Sequence, residues 1–241
     1  MKLSFTSFIN VLTWEHKRKV RWAIAIALLF HIIGWIGMVW IDKSGFAAMT
    51  PMNLLLSLTL ILWSHEKKDF SFFIFFLVAF QTGFFTEYLG VNHQLLFGHY
   101  RYEEAMGPKF FGVPLMIGVN WFIVVYCSAY ISEIFLNFLS KKIYIHLSSD
   151  HNFLGKAIFV FTGAMLTMGF DWIMEPVAVK LGFWTWLSDG IIPLKNYRDW
   201  FLVSIFLLLI LKALKIRIQN QFAHYLLLIQ VLFFVFLRFI L

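Results

Sequence analysis

The stretch FSFFIFFLVAFQTGFFTEYL, Phe70 to Leu89, decides the fold. Its first seventeen residues, Phe70 to Thr86, carry no charge, and the charge that breaks the run is Glu87. A helix of about 20 apolar residues matches the hydrocarbon thickness of a bilayer, so the stretch reads as a membrane span with an acid near one end. Comparable runs cover Trp22 to Ile41, Phe46 to Trp63, Phe110 to about Leu139, Phe153 to about Met174, Trp200 to Leu214 and Phe222 to Leu241. The second is broken by Pro51 near its start. The fourth exceeds one bilayer and is expected to tilt or project. The sixth is short and is expected to be completed by residues before Trp200. The pattern predicts an all-α, polytopic membrane bundle of about seven transmembrane helices, with residues 1–241 forming a single integral membrane domain.

Composition agrees. Hydrophobic residues make up 61% of the chain and charged residues 14%, against roughly 25% charged in a soluble domain. The net charge of +7 does not point to nucleic acid, because the basic residues sit in short loops between apolar runs, as orientation signals do. With seven spans, Lys2, Lys17, Arg18, Lys19, Arg21, Lys67, Lys68, Lys141, Lys142, Lys156, Lys212, Lys215 and Arg217 share the N-terminal side. Only Lys43, Arg101, Lys109, Lys180, Lys195, Arg198 and Arg238 fall on the other. This bias puts the N-terminus in the cytoplasm and the chain in the cell (inner) membrane. The basic cluster His16 to Arg21 precedes an apolar run with no small-residue cleavage site, which reads as a retained first span rather than a signal peptide. Cys127 is the single cysteine, so no intrachain disulfide forms.

Two segments resemble each other. One runs from Thr82 to Phe122 and the other from Met168 to Phe201. Each begins with Gly-Phe at the end of a span and continues to an acid, Glu87 or Glu175. Each has an aromatic-x-aromatic step, Tyr100-x-Tyr102 or Trp184-x-Trp186. Each closes with an aliphatic-Pro-Leu, four residues, Asn or Asp, then Trp-Phe: Val113 to Phe122 and Ile192 to Phe201. Because the third and fifth spans run in the same direction, the segments read as a parallel internal repeat facing one membrane side around one cavity.

The acids are the candidate catalytic groups. Asp171 and Glu175 are four residues apart and share a face if the helix continues through them. Two adjacent carboxylates do not both ionise easily, so one tends to hold a proton and act as a proton donor. The plainer reading ends each helix with an acid that snorkels to water or pairs with Arg101, Lys180 or Arg198; three acids in matched places favour function. Tyr100, Tyr102, Trp121, Trp184, Trp186 and Trp200 read either as an interfacial aromatic belt or as a slot for a flat apolar molecule, whose walls also stabilise a cation. Acids with aromatic walls are what protonation of an alkene requires. Asn120 and Asp199 are second candidates, for holding water. The sequence has no HExxH, CxxC, GxGxxG or P-loop. Its histidines are scattered, with only His93 and His99 sharing a motif loop. No metal and no cofactor is expected.

FGHYRY (Phe97 to Tyr102), VPLMIGVNWF (Val113 to Phe122), EPVAVKLGFWTW (Glu175 to Trp186) and IPLKNYRDWF (Ile192 to Phe201) together resemble the membrane carotenoid hydratases of the CruF type. The resemblance covers about Gly83 to Phe201. The chain departs from it at His93-Gln94, where a Thr-Gly pair is common, and at Arg198-Asp199, which is more polar. It implies hydration of the terminal C1–C2 double bond of an acyclic carotenoid, giving a tertiary alcohol without a cofactor. Glu87, Asp171 and Glu175 would supply acid and base, and the aromatic residues would line the slot. The alternatives are a carotenoid cyclase, which starts with the same protonation, and, outside catalysis, a carotenoid or lipid carrier or a small transporter.

Overall fold

The computed structural model describes residues 5–66, 68–142, 147–150, 152–188, 190–216 and 218–241. Lys2, Lys67 and Arg217 of the charge count, and His146 and His151, lie outside the described residues. The helices are α1 (Phe5–Ile36), α2 (Lys43–Ala47), α3 (Thr50–Ser64), α4 (Phe70–His93), α5 (Met116–Lys142), α6 (Phe153–Lys180), α7 (Leu194–Ala213) and α8 (Phe222–Ile240). Short strands β1 (Tyr100–Tyr102), β2 (Lys109–Phe110) and β3 (Val113–Pro114) lie between α4 and α5, and β4 (Trp184–Trp186) lies between α6 and α7.

Among the described residues, six helical segments are long and apolar enough to cross a membrane: Trp14–Ile41, Lys43–Ser64, Phe70–His93, Met116–Lys142, Phe153–Lys180 and Phe222–Ile240. The seventh expected span corresponds to α7. Its 20 residues give a helix about 30 Å long, but Lys195, Arg198, Asp199 and Lys212 lower its apolar character. The helix begins before Trp200, at Leu194. Phe110, read as the start of the fourth span, belongs instead to a small hairpin in which β2 pairs antiparallel with β3.

The break at Pro51 has a local cause. The end of α1 widens into a turn in which the Asp42 N–H donates to Gly37 O at 2.9 Å. The helix then stops at Ala47 and restarts at Thr50, with Pro51 in the first turn, where its missing N–H leaves no bond unmade.

The centre of the bundle is α5. Every residue from Ile117 to Ala129 is buried, as befits a helix surrounded on all sides; α3, α4, α6, α7 and α8 pack around it. At one end of the bundle Lys212 of α7 is buried. Its Nζ donates to Ser149 Oγ at 2.6 Å, Asp150 Oδ1 at 3.1 Å and Glu133 Oε2 at 3.3 Å and lies 4.2 Å from the Phe159 ring centroid. This tie joins α5, α6, α7 and the loop after α5. Lys212→Met keeps the bulk of the stem but removes bonds to charged partners, each worth about 1.5–3 kcal/mol when buried and less here because Glu133 and Asp150 are half-exposed. The expected outcome is a lower thermal unfolding midpoint in detergent; an unchanged midpoint would show that the tie does not hold these helices.

Candidate active site

The opposite end of the bundle carries the acids. The aromatic-x-aromatic steps form a two-stranded ribbon: β1 pairs antiparallel with β4, with Tyr100 opposite Trp186, Arg101 opposite Thr185 and Tyr102 opposite Trp184. Side chains alternate across a strand, so Tyr100, Tyr102, Trp184 and Trp186 share one face. That face is buried, whereas Arg101 is exposed and Thr185 half-exposed. The cross-strand rings touch, Tyr100 and Trp186 with centroids 5.1 Å apart and Tyr102 and Trp184 5.7 Å apart.

The ribbon's polar tips meet two glutamates. The Tyr100 hydroxyl donates to Glu87 Oε2, and that of Tyr102 donates to the same oxygen at 2.8 Å. Trp121 Nε1 donates to Glu87 Oε1 at 3.1 Å. The indoles of Trp184 and Trp186 both donate to Glu175 Oε1 at 2.6 Å. Two glycines on α4 admit this crowd. A Cβ on Gly83 would meet Trp121 Cγ at 2.5 Å, and one on Gly90 would meet the Tyr100 hydroxyl at 2.6 Å. Both lie within a turn of Glu87, on its face.

Asp171 lies one helical turn before Glu175. Its Oδ2 accepts from Asn196 Nδ2 at 2.7 Å, while its buried Oδ1 meets no donor. Glu87, Asp171 and Glu175 are 4%, 0% and 2% exposed. Among the described residues none of them makes an ion pair: Arg101 pairs with Glu103 at 3.0 Å and Arg198 with Asp199 at 2.8 Å. Their partners are neutral phenols, indoles and an amide, and Asp171 and Glu175 also bond to each other.

Glu87, Tyr100, Tyr102, Asn120, Trp121, Asp171, Glu175, Trp184, Trp186 and Trp200 line one cavity of about 20 Å³. That suffices for a single water, which needs roughly 10–15 Å³. Trp121 and Trp200, the closing tryptophans of the two related segments, stack with centroids 3.9 Å apart. Asp199 does not line the cavity. Its Oδ2 accepts the Phe97 N–H at 2.7 Å and its Oδ1 accepts from Arg198 Nε at 2.8 Å. It straps the loop after α4, aided by Lys195 Nζ on Gln94 O at 3.0 Å. Both places where the chain departs from the resembled pattern, His93-Gln94 and Arg198-Asp199, fall here. Gln94 takes φ 57° at the end of α4, a left-handed cap that glycine adopts most readily.

Phe97, Ile117, Met174 and Asn196 also line the cavity. Asn196 carried a sequence signal, as an amide inside the closing motif three residues before Asp199; the apolar three carried none. A second chamber, about 390 Å³ and mostly apolar, adjoins the first and shares Ile117, Asn120, Met174 and Trp184 with it. Its other walls come from α1, α2, α3, α6 and α8. Phe30, Ile33, Met49 and Met52 line it and are exposed, so it reaches the outer surface of the bundle between α1 and α3.

Burial, and then the charge of Glu87, push the Tyr100 and Tyr102 phenols well above the usual tyrosine range. Raised values keep both groups as O–H donors beyond pH ~10, where free tyrosine ionises. In an ultraviolet titration, the Tyr100→Phe/Tyr102→Phe variant is expected to show the same tyrosinate rise near pH ~10 as the parent protein. A smaller rise in the variant would mean that these phenols titrate freely.

A sequence model for the family described as carotenoid biosynthesis protein matches residues 45–241. The match takes in the ribbon and all three acids and leaves out α1. Comparison with curated proteins and with solved structures finds no match.

Proposed function

This chain belongs to the carotenoid biosynthesis protein family, and from that premise we propose that it is a cofactor-independent carotenoid 1,2-hydratase. Its role in carotenoid biosynthesis follows from the family; the reaction is our reading. The observation that carries it is the lining of a one-water cavity by three buried carboxyl groups at the end of an apolar chamber.

In this reading the acyclic end of the carotenoid reaches the acids through the chamber. A carboxylic O–H gives its proton to C2. The electron pair of the C1–C2 double bond forms the new C2–H bond and leaves a tertiary cation at C1. The oxygen of water bonds to C1 and releases a proton to a carboxylate. One water is added and the number of protons on the three acids is unchanged; a proton passing from the base back to the donor restores the starting state.

The hydrogen-bond inventory suggests the roles. Everything aimed at Glu87 is a donor, so both its oxygens accept, which suits the base that takes the proton from water. Asp171 Oδ1, lacking a donor, is the place for a transferable proton shared with Glu175. Trp121, Trp184, Trp186 and Trp200 would face the cation, each worth about 0.5–2 kcal/mol.

The reading includes a parallel internal repeat over residues 82–122 and 168–201, supported by the pairing of the two aromatic steps and the stacking of Trp121 on Trp200. It also includes a single integral membrane domain over residues 1–241. With a cytoplasmic N-terminus in the inner membrane, the acids lie at the non-cytoplasmic edge.

Expression in a lycopene-making host, with pigments resolved by mass, tests the proposal. The expected product is heavier than its precursor by one water. Asp171→Asn, Glu175→Gln and Glu87→Gln are each expected to reduce it by about a hundredfold or more. Arg101→Gln, on the outward face of the ribbon, leaves it unchanged. An isomer of equal mass would make the protein a cyclase. Unaltered pigment in every case, with the protein folded in the membrane, would favour a carrier or transporter.

A further inference from the structure

The apolar chamber has a polar patch of its own. His31 of α1, Asn53 of α3 and Gln230 of α8 all line it. Each interrupts an otherwise apolar span, and a polar side chain inside a membrane is costly unless it has a task. His31 Nδ1 lies 2.7 Å from Ala27 O and therefore donates to it. Its Nε2 is then an acceptor, and Asn53 Nδ2 points to it at 3.4 Å. This sets the orientation of the Asn53 amide and leaves Asn53 Oδ1 without a partner. Gln230 Oε1 is likewise buried and unpartnered, and its residue is 5% exposed.

Two acceptors without donors therefore belong to residues lining one apolar chamber. A pure hydrocarbon in it would leave both unpaired, at the cost of desolvation with nothing in return. A ligand that is apolar along its length and carries one hydroxyl would satisfy one of them at a time, since a hydroxyl has a single O–H to donate. The chamber and the acid cavity share Ile117, Asn120, Met174 and Trp184 as wall residues, so an alcohol made at the acids lies beside this chamber. His31 lies outside the family match and Asn53 and Gln230 inside it.

We propose that Asn53 Oδ1 and Gln230 Oε1 are alternative acceptors of a hydroxyl-binding station that holds the tertiary alcohol of the product in the chamber after it leaves the acids. The station rests on the hydratase reading for the identity of its occupant. Binding itself requires no turnover, so the two are tested apart.

The probes are a saturated, branched tertiary alcohol of terpenoid length and the alkane of the same skeleton. Neither has a double bond to react. Binding to the purified full-length protein in detergent is followed by tryptophan fluorescence. The parent protein is expected to prefer the alcohol by about fivefold to tenfold, the worth of one neutral hydrogen bond. Asn53→Leu and Gln230→Leu are each expected to reduce that preference and together to abolish it, with alkane binding retained as the control for folding. Glu175→Gln, at the acid cavity, is expected to keep the preference.

Equal binding of alcohol and alkane by the parent protein would overturn the station and leave water as the only donor those oxygens meet. Loss of preference in Glu175→Gln, with the Asn53 and Gln230 variants unaffected, would overturn it by placing the alcohol at the acids. A parent protein that shows the preference yet makes no hydrated pigment would keep the hydroxyl station, remove the product as its occupant and refute the hydratase reading.

Discussion

The structure depends on hydrogen bonds from neutral aromatic donors to two glutamates that would otherwise be intolerable where they are. Glu87 and Glu175 are buried at the rim of a membrane bundle with no cation paired to either among the described residues. A buried carboxyl without partners is expensive. Here the phenols of β1 serve one glutamate and the indoles of β4 serve the other, and the pairing of β1 with β4 fixes both sets at once. The outer edge of the ribbon is secured separately: Thr185 Oγ1 donates to Glu103 Oε1 at 2.8 Å and the Leu187 N–H to His99 O at 2.8 Å. Neutral donors hold the carboxyl groups in place without neutralising them as a lysine or arginine would, and that leaves their protons available for chemistry.

Much of this was legible in the sequence, and the rest was hidden for physical reasons. The spans announced themselves because an uncharged run such as Phe70 to Thr86 has few other solvents available to it. The acids stood out because each ends such a run. The aromatic steps were visible as a repeated pattern, yet a strand was not part of the expectation. The spacing of two in Tyr100-x-Tyr102 and Trp184-x-Trp186 is the strand period, but three residues are too few to read as a strand alone. Only the meeting of two such pieces from distant parts of the chain makes a ribbon. Asp199 was read as a water-holding residue because it sits where Asn120 sits in the other segment. The structure gives it a loop to strap, through the Phe97 N–H, and that distinction depends on a backbone turn no motif encodes. The apolar chamber was invisible for a related reason. It is a space between α1, α3 and α8, and each of its walls reads as an ordinary lipid-facing helix.

In the proposed reaction the two cavities divide the work that a lipophilic substrate demands. The larger one offers apolar surface, open to the outside of the bundle between α1 and α3, where a chain dissolved in lipid has no need to pass through water. The smaller one has room for one water and is closed by the stacked Trp121 and Trp200. In the proposed hydration, a cation formed beside it would meet ring faces and a single water.

The central claim is that a carboxyl proton goes to C2 and that the oxygen at C1 comes from water. It is tested most directly by letting the membrane-embedded protein convert its carotenoid in deuterated water enriched in heavy oxygen, and locating the labels in the product. The account predicts one deuterium at C2 and one heavy oxygen at C1 for each end that has reacted. A hydroxyl oxygen drawn from molecular oxygen, or a product without deuterium at C2, would contradict it.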